Sequence, residues 1–354
     1  MCLIDPQFKI KYHPAILIFT FFYGNLSTYR NPERKILTSK TGDLQPYGAV
    51  TIGVVAASFS SILIRFAQED APSLVIAAYR MLISSGILLL YILLIKDKSL
   101  RSINRDSRRK AVLSGVFLSI HFATWITSLE YTSITSSVVL VTTSPLFVAA
   151  LSPLLIKERI HRRTVLGLFL AFTGAVLIAS ADGGSSLKTL LSFRPDNLTR
   201  RAVLGDFLAL AGAAAGAGYI IIGRDLRKRI NLLPYITISY SSAAVILLGL
   251  VLVFRQPVLA YPPKTFLWFL LLAIIPQLIA HTSMNWALRF LPAAFVSISL
   301  LGEPIGTSIL AYIIFRELPS RLTLTGAVLI FLGIILASRS TTNIGNRKKP
   351  HIPE

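Results

Sequence analysis

The chain has 354 residues, 53% of them hydrophobic and 15% charged, with a mean hydropathy of +0.66 and a formal net charge of +20. Soluble domains carry about 25% charged residues, so this composition excludes an ordinary water-soluble globule and points to lipid as the solvent. The single cysteine, Cys2, excludes an internal disulfide and a Cys-based metal site.

Residues 1–46 come first and stand apart. Their apolar stretch AILIFTFFYG, residues 15–24, is too short to span a bilayer and follows Lys9 and Lys11 in the manner of a signal-peptide core, yet no small-x-small cleavage site follows it. The segment is expected to be a cytoplasmic or interfacial extension, or an over-extended gene start.

From there the chain alternates apolar segments with short connections rich in Asn, Pro, Gly and charge. Ten segments are read, at about 47–66, 73–95, 111–129, 136–156, 163–180, 202–222, 234–254, 265–288, 294–315 and 322–338. Each approaches the ~20 residues that a helix rising 1.5 Å per residue needs to cross ~30 Å of hydrocarbon. The fold class expected is an all-α integral membrane protein with ten transmembrane helices, followed by a basic tail at 339–354. The connections on one side of the membrane hold 20 Lys and Arg and those on the other hold 8. This is the positive-inside pattern, with both termini cytoplasmic. The positive charge thus reads as an orientation signal, and no nucleic-acid partner is expected.

The second half of the chain repeats the first. Pro145 and Pro304, Glu158 and Glu317, Gly167 and Gly326, and Gly174 and Gly333 are each separated by 159 residues. The repeats are bounded at 47–180 and 202–338. Five crossings per repeat is an odd number, so the second copy enters the membrane from the opposite side and the two are inverted. Inverted repeats are the architecture of secondary transporters, in which two similar halves exchange inward-open and outward-open states about a midplane site. Membrane scaffolds and channels can also be duplicated, but a scaffold needs no buried polar residues and a channel usually carries a filter or a charged ring.

Three stretches carry a resemblance: 121–179, beginning HFATWITSLEY; 205–219, GDFLALAGAAAGAGY; and 303–336, beginning EPIGTSILAYIIFRELPS. From about residue 47 to 338 the chain resembles the EamA-type branch of the drug/metabolite transporter superfamily. The resemblance implies a ten-helix carrier of small metabolites, with a central cavity lined by segments 1–4 and 6–9 and with segments 5 and 10 peripheral.

Polar groups inside a membrane are expensive and usually face protein or water. On segment 3, Ser114, His121, Trp125 and Ser128 share a helical face; on segment 8, Gln277, His281 and Asn285 follow i, i+4, i+8. Either these stripes line a cavity able to hydrogen-bond an amine or a zwitterion, with Trp125 and Trp286 offering aromatic faces, or they join helices as interhelical hydrogen bonds. The second role suits Ser114 and Ser128 better.

Glu303, about ten residues into segment 9 and beside Pro304, is the sharpest candidate for coupling. Desolvation and a nearby cation act on such a carboxyl in opposite directions, which makes it a switchable proton carrier; a fixed pairing with Arg80, His121 or His281 is the alternative. Its counterpart in segment 4 is Ser144. Arg80 either binds a substrate carboxylate, pairs with Glu303 or snorkels to the headgroups. Pro145 and Pro304 are expected to break their helices mid-membrane. Gly212 and Gly216 form either an internal packing surface or a homodimer face, and Tyr219, a turn beyond, is a further cavity candidate. Glu158 and Glu317 close segments 4 and 9 at the membrane surfaces, where a carboxylate would cap the following helix.

No H-E-x-x-H, G-x-S-x-G or P-loop is present, so no catalysis, metal or cofactor is expected, and energy would come from an ion gradient or exchange. The function expected is secondary transport of small organic metabolites such as amino acids or amines across a prokaryotic cytoplasmic membrane, in the export direction. Exchange of phosphorylated or nucleotide-linked sugars, or a non-transporting scaffold, are the alternatives.

Overall fold

A computed structural model of the chain describes residues 44–132, 137, 140–158, 160–182, 197–315 and 321–346. Residues Pro46–Glu354 form one compact unit. The reading of the N-terminal extension falls almost wholly outside the described residues, as do Glu317 and the end of the basic tail.

All regular secondary structure among the described residues is helical. The first apolar segment is a bent pair, α1 (Gln45–Ala57) and α2 (Ser60–Gln68). Then come α3 (Ser73–Leu94), α4 (Arg105–Tyr131), α5 (Ser144–Leu155), α6 (Arg162–Asp182), α7 (Asn197–Arg227) and α8 (Leu232–Val253). The eighth segment begins as α9 (Pro263–Leu272), passes through a π-helical stretch, Ala273–His281, and ends as α10 (Thr282–Ala287). The ninth begins as α11 (Ala293–Ser299), tightens into a 3-10 turn at Leu300–Gly302 and continues as α12 (Glu303–Phe315). The last is α13 (Arg321–Asn346). Among the described residues seven helical spans are long and apolar enough to cross a membrane, and Ser144–Leu155 and Leu324–Ala337 are shorter apolar helices.

Local chemistry sets the boundaries. Asn104 caps α4, its side-chain oxygen accepting from Ser107 N at 2.8 Å, with Asp106 in the first turn where the helix dipole favours an anion. Pro72, Pro262 and Pro292 precede α3, α9 and α11, a position where no N–H is missed. Three helices end on a residue in the left-handed region: Lys96 (φ 51), Lys157 (φ 55) and Arg255 (φ 51). The following N–H reaches back across the last turn in each, as Asp97 N to Ile92 O at 3.1 Å and Gln256 N to Val251 O at 3.0 Å. That is the geometry in which glycine is usual. Lys96 and Arg255 stand 159 residues apart, so both halves of the chain end this helix in the same way. Since a side chain at positive φ is strained by about 1 kcal/mol or more, Lys96→Gly is expected to raise the melting temperature in detergent; a lower melting temperature would show that the Lys96 side chain contributes more than its strain.

The halves interlock helix by helix. The helix α3 packs on α8, α5 on α11 and α6 on α13, while α2 packs on α9 and α4 on α7. The α6–α13 contact is antiparallel and glycine-lined. A Cβ at Gly167 would stand 2.5 Å from Gly333 O, one at Gly333 would stand 2.5 Å from Gly167 O, and one at Gly174 would stand 2.5 Å from Gly326 O. Only backbones without side chains approach this closely. At the bend between α1 and α2, Ser58 Oγ donates to Glu303 O at 3.3 Å and Thr307 Oγ1 donates to Ser58 O at 3.1 Å, so two helix breaks satisfy each other's backbone groups across the bundle.

Pro145 and Pro304 each stand beside an irregular stretch of their segment. Each proline sits in the first turn of the helix after the break, and the irregular residues are the ones before it, Thr142–Thr143 and Leu300–Gly302. A proline tolerates the first turn because its absent N–H has no partner there, while its ring disrupts the turn before it.

Candidate functional site

Between the two halves lies a cavity with about 970 Å³ of atom-free space, counting its mouth. Its walls come from α1, α2, α3, α4, α5, α7, the π stretch with α10, and α11 through to Glu303. Glu303 stands ten residues into its segment, about 15 Å from the membrane surface at 1.5 Å per residue, hence near the midplane.

Of the residues singled out in the sequence, the cavity brings together Arg80, His121, Trp125, Pro145, Tyr219, His281, Asn285 and Glu303. Arg80 does not snorkel. It is 1% exposed, its guanidinium lies 4.2 Å above the Phe122 ring, Nε donates to Gln277 Oε1 at 2.9 Å and Nη1 to Ser60 Oγ at 3.2 Å. Two of its five N–H groups thereby hold it in place, leaving the others for the cavity. Arg80 and Glu303 interact through space, but no ion pair within 4 Å joins them among the described residues.

The imidazole of His121 is held from behind, Nδ1 donating to Gly212 O at 2.8 Å, and stacks on Trp125 at 5.6 Å. His281 packs against Phe122 and Tyr219. The Asn285 amide reaches the Tyr219 and Tyr240 hydroxyls. Three buried polar atoms on the cavity wall, Trp125 Nε1, Ser144 Oγ and Asn285 Oδ1, have no hydrogen-bond partner among the described residues. An unsatisfied buried group is destabilising by about 1–3 kcal/mol, so a bound solute offering a matching donor or acceptor gains by that amount. The wall can therefore address one anionic, one cationic and several hydrogen-bonding groups of a small molecule while presenting mostly apolar surface.

Two expected residues stand elsewhere. Gln277 is fully buried behind the wall as the anchor of Arg80, and Trp286 packs on Phe290 at 4.7 Å, away from the cavity. Helical spacing puts Gln277 on the face of His281 and Asn285 but is silent on partners: its Oε1 is taken by Arg80 Nε, and it is Arg80 that lines the cavity. Trp286, next after Asn285, is rotated off that face by a single residue step. Ser114 bonds across helices to Tyr235 OH at 2.8 Å, and Ser128 bonds to Ser137 Oγ at 2.6 Å. Gly212 and Gly216 pack inside the subunit, against Trp125 and His121, and so are unavailable as a homodimer face. The cavity also takes in Thr142, Met284 and Ser297, which sequence reading passed over because small hydroxyls and methionine are common in membrane helix packing.

The carboxylate of Glu158 caps a different helix from the one expected. Its Oε2 accepts from Ala293 N at 3.2 Å, at the start of α11, and its Oε1 accepts from Arg224 Nε at 2.6 Å and Lys228 Nζ at 3.1 Å. Burial works against the charge on Glu158, but Arg224 and then Lys228 outweigh it and hold the carboxyl below its usual range. A lowered folded-state value means that this stabilisation is complete above the unfolded value of 4.5 and is lost as pH falls through the lower folded one. The melting-temperature difference between the parent and Glu158→Gln is thus expected to stay flat from about pH 8 to 5.5 and to close only in stronger acid.

A family model described as the EamA-like transporter family matches residues 46–180 and again 203–339. An uncharacterized transporter of Archaeoglobus fulgidus is 25% identical over 292 residues, covering 82% of this chain and 95% of the relative. The uncharacterized transporter YyaM of Bacillus subtilis is 23% identical over 269 residues, 74% of this chain and 83% of its own. A solved crystal structure is similar in fold over 84% of this chain and 99% of its own, with a TM-score of 0.67 at 17% identity. With both halves matched by the same model, an apolar helical bundle and a polar-lined internal cavity, the chain belongs to the EamA-like transporter family and is a multi-pass membrane transporter.

Proposed function

We propose that the chain is a ten-helix, inverted-repeat secondary transporter that moves small organic metabolites such as amino acids or amines outward across a prokaryotic cytoplasmic membrane, both termini cytoplasmic, by alternating access. The observation that carries this reading is Glu303 facing a cavity near the midplane, with Arg80 on another part of the same wall. Glu303 takes the amine or the coupling proton and Arg80 the carboxylate, while Trp125, His121 and Tyr219 offer aromatic and hydrogen-bonding contacts. The contact pattern supports the inverted repeat. The pairs Gly167–Gly333 and Gly174–Gly326 exchange equivalent positions of the two copies, as a two-fold axis requires. The helix pairs α2–α9 and α4–α7 exchange in the same sense.

Phosphorylated substrates fit less well, because Arg80 supplies the one Lys or Arg lining the cavity among the described residues. The test is uptake of pooled labelled amino acids and amines into proteoliposomes with and without an imposed proton gradient. Gradient-dependent accumulation of a pool member is the expected result; absence of movement of any member under either condition refutes the substrate class.

A further inference from the structure

We propose that Glu158 is a latch that closes the cavity on the face carrying the basic connections, and that it opens and re-forms in each transport cycle. This rests on the transporter reading above and adds to it a residue that stands outside the cavity. Three elements meet at the one carboxylate: the end of α5, the end of α7 through Arg224 and Lys228, and the first N–H of α11 through Ala293. Arg224 Nη1 also donates to Leu288 O at 2.6 Å. Leu288 and, one turn into α11, Val296 are themselves cavity wall, so the network lies directly beneath the floor.

The parts it joins are hinged. The short helix α5 follows the irregular residues Thr142–Thr143, and α11 ends at the 3-10 turn Leu300–Gly302; Thr142, Leu300 and Leu301 line the cavity. The latch thus ties the tips of two broken helices, one from each half of the chain, with both hinges at the solute's level. Releasing the tips lets α5 and α11 part and opens the floor. Placement at the water boundary makes the contact reversible. The side chains of Glu158, Arg224 and Lys228 are 15%, 11% and 42% exposed, so water can replace the partners as they separate, whereas a deeply buried pair would forfeit far more. The sequence also writes the two positions twice at the separation of 159, Arg65 with Arg224 and Glu158 with Glu317. Glu317 is outside the described residues, and the latch is assigned on the Glu158 face alone.

The test uses sided thiol labelling in the full chain, with Cys2→Ala as background, since Cys2 is the one native cysteine. Val296→Cys reports the floor and Val141→Cys, also on the cavity wall, reports the opposite approach. Ser102→Cys, in the basic 96–110 connection, identifies which vesicle orientation exposes the latch face. A membrane-impermeant maleimide is applied to inside-out and right-side-out vesicles. Glu158→Gln is expected to speed labelling of Val296→Cys from the latch face about tenfold or more, as for a closed state losing about 1.4 kcal/mol, and to slow labelling of Val141→Cys from the other face. Glu158→Asp is expected to restore both rates in part. Should Glu158→Gln fail to fold, Arg224→Gln interrupts the latch from its other side with the same two reporters. Unchanged rates overturn the proposal, as does faster labelling at both sites or at Val296→Cys alone, which marks loosened packing. If Ser102→Cys is labelled from the external face, the proposed orientation fails while the latch is still judged by the same pair of rates.

Discussion

Proteoliposomes carrying Glu303→Gln will lose gradient-driven accumulation of substrate while retaining exchange of labelled for unlabelled substrate. One pH unit is worth 1.36 kcal/mol per proton, so a gradient of about one unit supports at most about tenfold accumulation when one proton moves per substrate molecule. A glutamine preserves the size and the hydrogen-bonding capacity of the side chain but cannot take up or release a proton, so the ratio is expected to fall to about one. Exchange survives because it needs the cavity and the movement of the halves, not the gradient. Loss of exchange as well would make Glu303 a substrate contact without a separate coupling role, and persistence of accumulation would remove it from coupling altogether. Its surroundings favour the coupling role. Among the described residues no hydrogen bond or ion pair within 4 Å holds its carboxylate, and it faces the cavity where solute and proton can compete for it.

Arg80→Met is expected to weaken substrate binding about 10- to 100-fold, the 1.5–3 kcal/mol of a hydrogen bond to a charged group, while leaving the melting temperature unchanged or higher. The two effects separate because of where the guanidinium sits. Fully buried and without a carboxylate within 4 Å among the described residues, Arg80 forgoes hydration that its bonds to Gln277 and Ser60 and its position over Phe122 only partly return. A flexible apolar side chain of similar length fills the same space without that penalty. Arg80→Lys keeps the charge but cannot reproduce the two-point anchoring or the flat contact with Phe122, so its affinity is expected between the parent and Arg80→Met. The check is a binding isotherm beside a thermal unfolding curve for each variant. A large loss of stability in Arg80→Met with unaltered affinity would make Arg80 a structural tie.

Much of the molecule was legible from the chain itself, and the reasons differ by element. The apolar segments and the internal repeat follow from the length and composition that lipid demands and from identical residues recurring at one separation. His121, Trp125, His281 and Asn285 could be placed on cavity-facing stripes because a regular helix returns the same face every third or fourth residue. Sharing a face does not by itself give a residue to the cavity: Gln277 is taken up as the anchor of Arg80. Periodicity is also silent on partners. It placed Ser114 and His121 on one face but could not assign the first to Tyr235 and the second to the Gly212 carbonyl.

The sequence by itself therefore determined the solvent, the helical segments, the duplication and the residue types available for work inside the membrane. Tertiary structure alone decided which of them meet: that Arg80 is held by Gln277 and Ser60 away from the headgroups, that Gly212 and Gly216 are filled within the subunit, and that Glu158 closes on Arg224 and the start of α11. The physical reason is that lipid selects each helix singly by its length and apolarity, whereas contacts between helices depend on close approach and on hydrogen bonds between residues far apart in the chain.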